Sequence, residues 1–452
     1  MADAPGAARV TSPAHAWYIV AVLSGAMAFS LVDRFALSLL FEPIKADLGL
    51  SDTSLGLLHG VAFGLFYAGL GIPIAWLVDT RSRKWVVFWG IAVWSVATAA
   101  CGFARSFATL LLARIGVAAG EAALAPAGYS MIGDTMPPER LGTAISLFQM
   151  GSVIGAGLAF VAGGAVYAAL EAWVPAPGSY WSTFAAWQLT FMVLALPGVM
   201  FLVLVLAIRE PARRNRSADI APAGGLMRYL WEERRLFVPL FVGNACTVAI
   251  SYAMISWAPA VLAREHGWSV EDVGLRIGLV MLTTAPAGVI LGGYLADRWS
   301  MRLGLEAFAR VLLLAPIIAM PLLVGIFLVS SGEQLFALLA VIQFATGLSV
   351  GVGPAVIQPL ARADVRGRVS AVYVFAVNLI GLGIGPVAIG MLSDNFFTDA
   401  NGLSRALGSY VVLMALVSVG FLLMFWRELK ARHVAERDQS QAIRKSDLQA
   451  PA

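Results

Sequence analysis

Charge is what this sequence has least of. Only 13% of its 452 residues are Asp, Glu, Lys or Arg, while 59% are hydrophobic, and the mean hydropathy is +0.80. Soluble domains carry about 25% charged residues, so a soluble fold is excluded. Cysteine is nearly absent: Cys101 and Cys246 both fall in apolar runs, which rules out a disulfide framework and gives no metal site. No GxxxxGK[ST] loop is present, which argues against ATP hydrolysis, and no serine, histidine and acid cluster suggests an enzyme. Short alternating segments of the outer-membrane barrel kind are missing too.

Long apolar runs are abundant. About twelve are long enough to cross a bilayer core of roughly 30 Å. They lie near 17–40, 54–78, 85–104, 106–131, 141–170, 184–208, 236–262, 273–296, 303–330, 333–360, 368–394 and 404–430. The fold class is therefore an all-α membrane protein with twelve transmembrane helices. With both termini cytoplasmic, roughly 23 of the 31 Lys and Arg residues fall in inner segments and about five in outer loops. The basic loop holding Arg209, Arg213, Arg214, Arg216, Arg228, Arg234 and Arg235 contrasts with a stretch around Trp173–Tyr180 free of Lys and Arg. The pI near 9.2 follows from this topology and gives no reason to invoke nucleic acid, although the loop could touch anionic lipid heads. The first span is expected to direct insertion and to be retained.

The chain divides into a cytoplasmic segment 1–16, a six-helix bundle 17–208, a linker 209–235, a second six-helix bundle 236–430 and a tail 431–452. The tail is expected to be a short solvated helix running into a disordered end. The halves echo each other. Ala75-Trp-Leu-Val-Asp79-Thr-Arg81-Ser-Arg83-Lys84 follows the second span, and Gly293-Tyr-Leu-Ala-Asp297-Arg298-Trp-Ser-Met-Arg302 follows the eighth. Arg140-Leu-Gly142-Thr-Ala144 is echoed more weakly by Arg366-Gly367-Arg368-Val-Ser-Ala371. Each leads into a glycine-rich helix, Gly151-Ser-Val-Ile-Gly155-Ala-Gly157 and Gly381-Leu-Gly383-Ile-Gly385-Pro386, whose spacing permits close backbone approach and a local bend. Two such halves around a central path is a transporter plan.

Besides Arg310 in the ninth span, four charges of the first half lie inside apolar spans: Asp33 and Arg34 in the first, Arg114 and Glu121 in the fourth. The i, i+7 spacing puts Arg114 and Glu121 on one helix face, about 10 Å apart along the axis. Ionisable groups at bilayer depth are costly and face a bundle interior or a water-filled path. Arg34 lies about 100° around the helix from Asp33, so the two cannot both point straight into a cavity.

These residues carry a family resemblance. The acid-plus-basic turns resemble the major facilitator superfamily signature, as do Arg114-Ile-Gly-Val-Ala-Ala-Gly120-Glu121-Ala and the glycine-rich fifth span. Asp33-Arg34, the Arg114/Glu121 pair and Pro137-Pro-Glu-Arg140 resemble the spinster family, whose members move lysophospholipids and sphingosine-1-phosphate. The likeness runs over all twelve spans, and the match to a bacterial spinster homologue is close. The chain departs from the pattern at Ala75, usually Gly, and at Thr80, where Arg often follows the Asp. The resemblance implies two pseudo-symmetric six-helix bundles with spans one, four, seven and ten lining the cavity.

On that reading Arg114, with Arg34, presents donors to a phosphate or carboxylate headgroup. Glu121, balanced between desolvation and Arg114, can titrate when substrate displaces the arginine; Asp33 is the second candidate proton site. Asp33 and Arg114 should share one depth, with Glu121 nearer the middle. The bland alternative is a static buried ion pair that fixes packing. Asp79, Arg81, Arg83, Arg140, Asp297 and Arg298 would gate the cytoplasmic face. Asn244, Ser251, Tyr252, Trp257, Gln343, Thr346 and Gln358 are candidate cavity lining, each otherwise an interhelical hydrogen bond. His59 is expected at an interface near the outer end of span two. The Asn215-Arg-Ser217 sequon falls in the linker, where glycosylation is not expected.

The expectation is a secondary active transporter of an amphipathic lipid, driven by a proton gradient without a cofactor, acting as a monomer in a bacterial inner membrane. A small organic anion or drug carrier is the alternative substrate class. An uncoupled scramblase or receptor is the alternative from another class.

Overall fold

A computed structural model describes residues 12–173, 175–213, 224–362 and 365–449. The sequon, with Arg214 and Arg216 of the linker's basic run, lies outside these residues. Twelve helical spans are long and apolar enough to cross a membrane, and they make this a multi-pass membrane protein. They are Pro13–Leu39, Asp52–Thr80, Arg83–Cys101, Phe107–Thr135, Glu139–Ala172, Ala186–Leu206, Arg234–His266, Val270–Leu303, Glu306–Leu328, Gly332–Leu360, Arg366–Asn395 and Gly402–Val434, hereafter spans one to twelve. Helices satisfy every backbone donor within their own segment, which hydrocarbon demands.

Span one packs along span five and span three along span four; span seven packs along span twelve and span eight along span ten. The halves meet where span five lies on span eight and span two on span eleven. Small residues let these backbones touch. A Cβ at Gly155 would collide with the Ala28 carbonyl, so span five can lie this close to span one only with glycine there.

The two-to-eleven seam has a direction. Span two is buried at Leu55, Leu58, His59 and Phe63, then mostly half-buried or exposed from Leu65 (61%), with Val78 buried near its end. Span eleven is buried over Gly381–Gly383 and Gly385–Val387 but exposed at Val374 and Phe375. The bundles are thus sealed at the end away from the chain termini and splayed at the terminal end.

Several spans are interrupted beside this seam. Span two breaks at Gly60 (φ −96°, ψ −92°), span four turns at Ala122 and Ala123, and span eleven widens into a π-helix over Leu379–Ile384. The last is the bend expected of the glycine-proline run. A short helix, Gly224–Glu232, precedes span seven. One correction concerns the tail: the final helix runs from Gly402 to Gln449 without a break, where a short helix ending in disorder was expected.

Candidate translocation site

Consecutive residues on span one diverge as helical geometry requires. Asp33 turns toward span three, where Thr98 Oγ1 donates to its Oδ2 at 2.9 Å. Arg34 turns toward spans two and four. Its Nη2 donates to Glu121 Oε2 at 2.7 Å, while its guanidinium lies 4.4 Å from the Phe63 ring centre and 5.2 Å from that of Tyr67. Arg114 Nη1 donates to the Asp33 carbonyl at 3.1 Å, and its guanidinium also faces Phe63, at 5.6 Å. Asp33 and Arg114 therefore do share one depth. Gly120 presses against Gly90 and Trp94 of span three, fixing the turn that carries Glu121.

Two expectations need correction. Arg114 and Glu121 are not partners. Seven residues apart on one helix they are too far to bond, and the neighbouring helix supplies Arg34 to one and a carbonyl to the other. Nor do they face a wet crevice in this conformation. Arg114 and Asp33 are fully buried and the Glu121 side chain is 1% exposed; the charge nearest solvent is Arg34, whose side chain is 12% exposed. The cluster is incompletely satisfied: Asp33 Oδ1, Glu121 Oε1 and Arg114 Nε and Nη2 are buried without a hydrogen-bond partner. Such groups carry a cost that a proton, water or ligand would relieve.

His59 is corrected too. It is fully buried, edge-on to Phe41 at 5.8 Å and tilted against Phe35 at 6.2 Å, with both ring nitrogens unpartnered. It is no interfacial residue.

The second-bundle residues divide. Asn244 donates to Tyr373 Oη at 2.5 Å, Gln343 accepts from Ser251 at 2.7 Å, and Thr346 donates to the Ile342 carbonyl at 2.9 Å. Trp257 Nε1 donates to the Pro386 carbonyl at 3.1 Å, with its ring 5.0 Å from Phe41, inside the sealed end. Asn244, Gln343, Thr346 and Trp257 are buried: interhelical hydrogen bonds hold Asn244, Gln343 and Trp257, and Thr346 bonds back to its own helix. Ser251 and Tyr252 are partly exposed, with Tyr252 within electrostatic reach of Arg34; Gln358 is exposed toward the terminal end of span ten.

At the splayed end the gating candidates behave differently from one another. Arg83 is fully buried, binding Asp134, Glu210, Ser130 Oγ at 3.0 Å and the Pro211 carbonyl at 2.6 Å. Asp134 and Ser130 belong to the first bundle and Glu210 and Pro211 to the start of the linker, so Arg83 ties the linker to its own bundle and is not a contact between bundles. Asp79, Arg81, Arg140, Asp297 and Arg298 are exposed. Among the described residues no hydrogen bond or ion pair joins the Asp79 or Asp297 carboxylate to the opposite bundle. Arg213 donates instead to backbone carbonyls of Val78 (2.5 Å), Asp79 and Arg81 (2.7 Å).

The sealed end holds a network that sequence reasoning missed. Arg264 of span seven reaches Glu42 at 2.6 Å and Asp52 at 2.7 Å, and Lys45 reaches Asp52 at 2.5 Å. From span eleven, Ser393 donates to Asp52 at 2.8 Å, while Asp394 accepts from the Asp52 and Thr53 amides at 3.1 and 2.7 Å. Asp394 thus caps the start of span two from across the seam. In the sequence these charges look like ordinary loop residues.

Residues 23–386 match the family model of the Major Facilitator Superfamily. An MFS-type efflux pump of Mycolicibacterium smegmatis is 29% identical over 411 residues, covering 90% of this chain and 91% of the pump. A probable galactarate/D-glucarate transporter of Escherichia coli is 24% identical, covering 92% and 94%. The crystal structure of a bacterial homologue of the human lysosomal transporter spinster, inward-facing and unoccupied, superposes with a TM-score of 0.76 at 27% identity, covering 92% of this chain and 95% of that one.

Proposed function

Because this chain belongs to the Major Facilitator Superfamily, a family of transporters and not of enzymes, we propose that it is a proton-coupled carrier of an anionic or zwitterionic lysolipid, working by alternating access. The observation that carries the reading is the Arg34–Glu121 ion pair. It stands at the solvent edge of a buried four-charge cluster, in a molecule sealed at one end and splayed at the other.

The chemistry follows from competition for one guanidinium. A substrate phosphate entering from the splayed end meets Arg34 first and takes the planar donor set that Glu121 now holds. Glu121, left without its partner in a desolvated site, then takes a proton. Alternate closure of the two ends carries both across together, in the direction in which the proton gradient runs, and loss of the proton returns Glu121 to Arg34. Asp33, held by Thr98 and lying next to Arg114, is the second proton site; Arg114 fixes the local field from behind. No cofactor is required, since the proton gradient supplies the work. The partly exposed rings of Tyr67 and Tyr252, the former backed by the buried Phe63 ring, offer the apolar wall an acyl chain needs.

The basic bias of the linker and inner turns supports termini in the cytoplasm. The splayed end is then cytoplasmic and the membrane is a bacterial inner membrane. A small organic anion is the second reading, favoured by the likeness to the galactarate/D-glucarate transporter, because Arg34 would serve a carboxylate as well. Transport by the purified monomer in proteoliposomes tests both. Uptake of labelled lysolipid should follow an imposed proton gradient and resist competition by short dicarboxylates. Accumulation indifferent to the gradient would sink coupling, and displacement by dicarboxylates would transfer the reading to small anions.

A further inference from the structure

We propose that the groove between spans seven and twelve, at the terminal end, is a binding site for an anionic phospholipid of the surrounding leaflet, separate from the transport path. The groove encloses about 540 Å³ and is lined by Arg234, Arg235, Val238, Pro239, Met424 and Arg427, among others.

Its two walls have the same polarity. Span seven leaves the membrane surface at Arg234 and Arg235 and presents Val238 and Pro239 one turn deeper; antiparallel span twelve presents Phe421 and Met424 before ending its apolar stretch at Arg427. Both helices thus set guanidinium groups at the mouth and hydrocarbon below, which matches a phosphodiester headgroup above an acyl chain. Neither the Arg235 nor the Arg427 side chain has a hydrogen bond or ion pair among the described residues, and both are exposed. Glu428, the acid of the lining, is already held by Arg432 at 3.0 Å, so it does not neutralise them.

A second feature points to the same leaflet. In the helix Gly224–Glu232, Leu226 and Leu230 pack on the second bundle, while Met227 and Trp231 project outward, 70% and 69% exposed. Arg234 donates to the Trp231 carbonyl at 2.9 Å and lies 5.0 Å from its ring centre. A tryptophan and a methionine beside an arginine suit the interfacial layer, where amphipathic rings sit at headgroup depth. Basic pockets between helices at such a surface hold anionic headgroups, and each arginine adds attraction that a zwitterionic lipid does not feel. The site commits to a phospholipid and not to free phosphate, because Val238, Pro239, Phe421 and Met424 form a hydrocarbon face that phosphate cannot use.

Native mass spectrometry tests this on the full chain released from nanodiscs of one part phosphatidylglycerol to four parts phosphatidylcholine. The wild type should retain phosphatidylglycerol in preference to phosphatidylcholine. The double variant R235A/R427A should weaken that retention by on the order of tenfold. The charge-matched control R81A/R140A, and R235K/R427K, should keep it. Val238→Trp, which fills the apolar floor and leaves the charges in place, should lower retention independently of any folding defect in the arginine variant. Equal retention of the two lipids by the wild type, wild-type retention by both R235A/R427A and V238W, or equal loss in the control would overturn the proposal. So would retention of inorganic phosphate in place of phospholipid.

Discussion

Arg34 and Glu121 share one short ion pair, and the two residues respond differently to substitution. Arg34→Ala leaves a carboxylate at 1% exposure without its partner, a change that costs about 3–5 kcal/mol for buried pairs. Thermal unfolding in detergent should show that loss, and R34A/E121Q should recover most of it, because the double variant leaves no unpaired charge. Arg34→Lys keeps the charge but loses the planar fork, so substrate KM should rise while the fold is retained. Glu121→Gln should leave a folded protein whose transport no longer varies with pH in proteoliposomes. Full pH dependence in that variant would remove Glu121 from the coupling role.

Two helix interruptions lie where the bundles meet. Span two breaks at Gly60, and a Cβ there would stand 2.6 Å from the Gly383 carbonyl oxygen and 3.0 Å from that of Leu382, inside the π-helix of span eleven. Backbone cannot retreat as a flexible side chain can, so Gly60→Ala must part the seam. A cysteine placed at Ser54, near the sealed end, should then react faster with a water-soluble maleimide than it does beside the native glycine. An unchanged rate would mean that the seam tolerates a methyl group and that its closeness is incidental. Span four shows the same logic in another form: its turn at Ala122 and Ala123 follows directly on Glu121 and lets a single span hold two differently directed charges.

For the whole molecule the balance lies between two ends of unequal bonding. Asp52 gathers Lys45, Arg264 and Ser393 at the sealed end, while among the described residues the Asp79 and Asp297 carboxylates at the splayed end hold nothing across the bundles. Arg264→Ala removes the link from span seven to both Glu42 and Asp52, weakening the sealed state by about 1–3 kcal/mol, the cost of an unsatisfied charged partner. Since two conformations differ by only a few kcal/mol, that suffices to shift populations measurably. Spin labels at Ser54 and Asn395 should report a new, longer distance in the variant. A distribution identical to that of the parent would show that the seam's glycines, and not the ions, hold this end shut.

Much of this was legible in the sequence, for definable reasons. Twelve spans followed from apolar length alone, because a bilayer imposes one helical solution on such runs. The place of Asp33, Arg34, Arg114 and Glu121 within the spans followed as well, since a charge inside an apolar run is conspicuous, but their enclosure away from solvent did not. Partner choice was not legible. Periodicity assigns a residue to a face but says nothing of which neighbouring helix supplies the opposing group, and so Glu121 met Arg34 and not Arg114. The same gap hid the network around Asp52, whose members lie far apart in the chain and only the meeting of spans two, seven and eleven brings together. It also hid the burial of His59 behind Phe35 and Phe41. Composition determined the environment and the helices, by a solvent rule acting on each segment separately. Tertiary structure decided the pairings, the sealed end and the open one, because those depend on distances between segments that no local pattern contains.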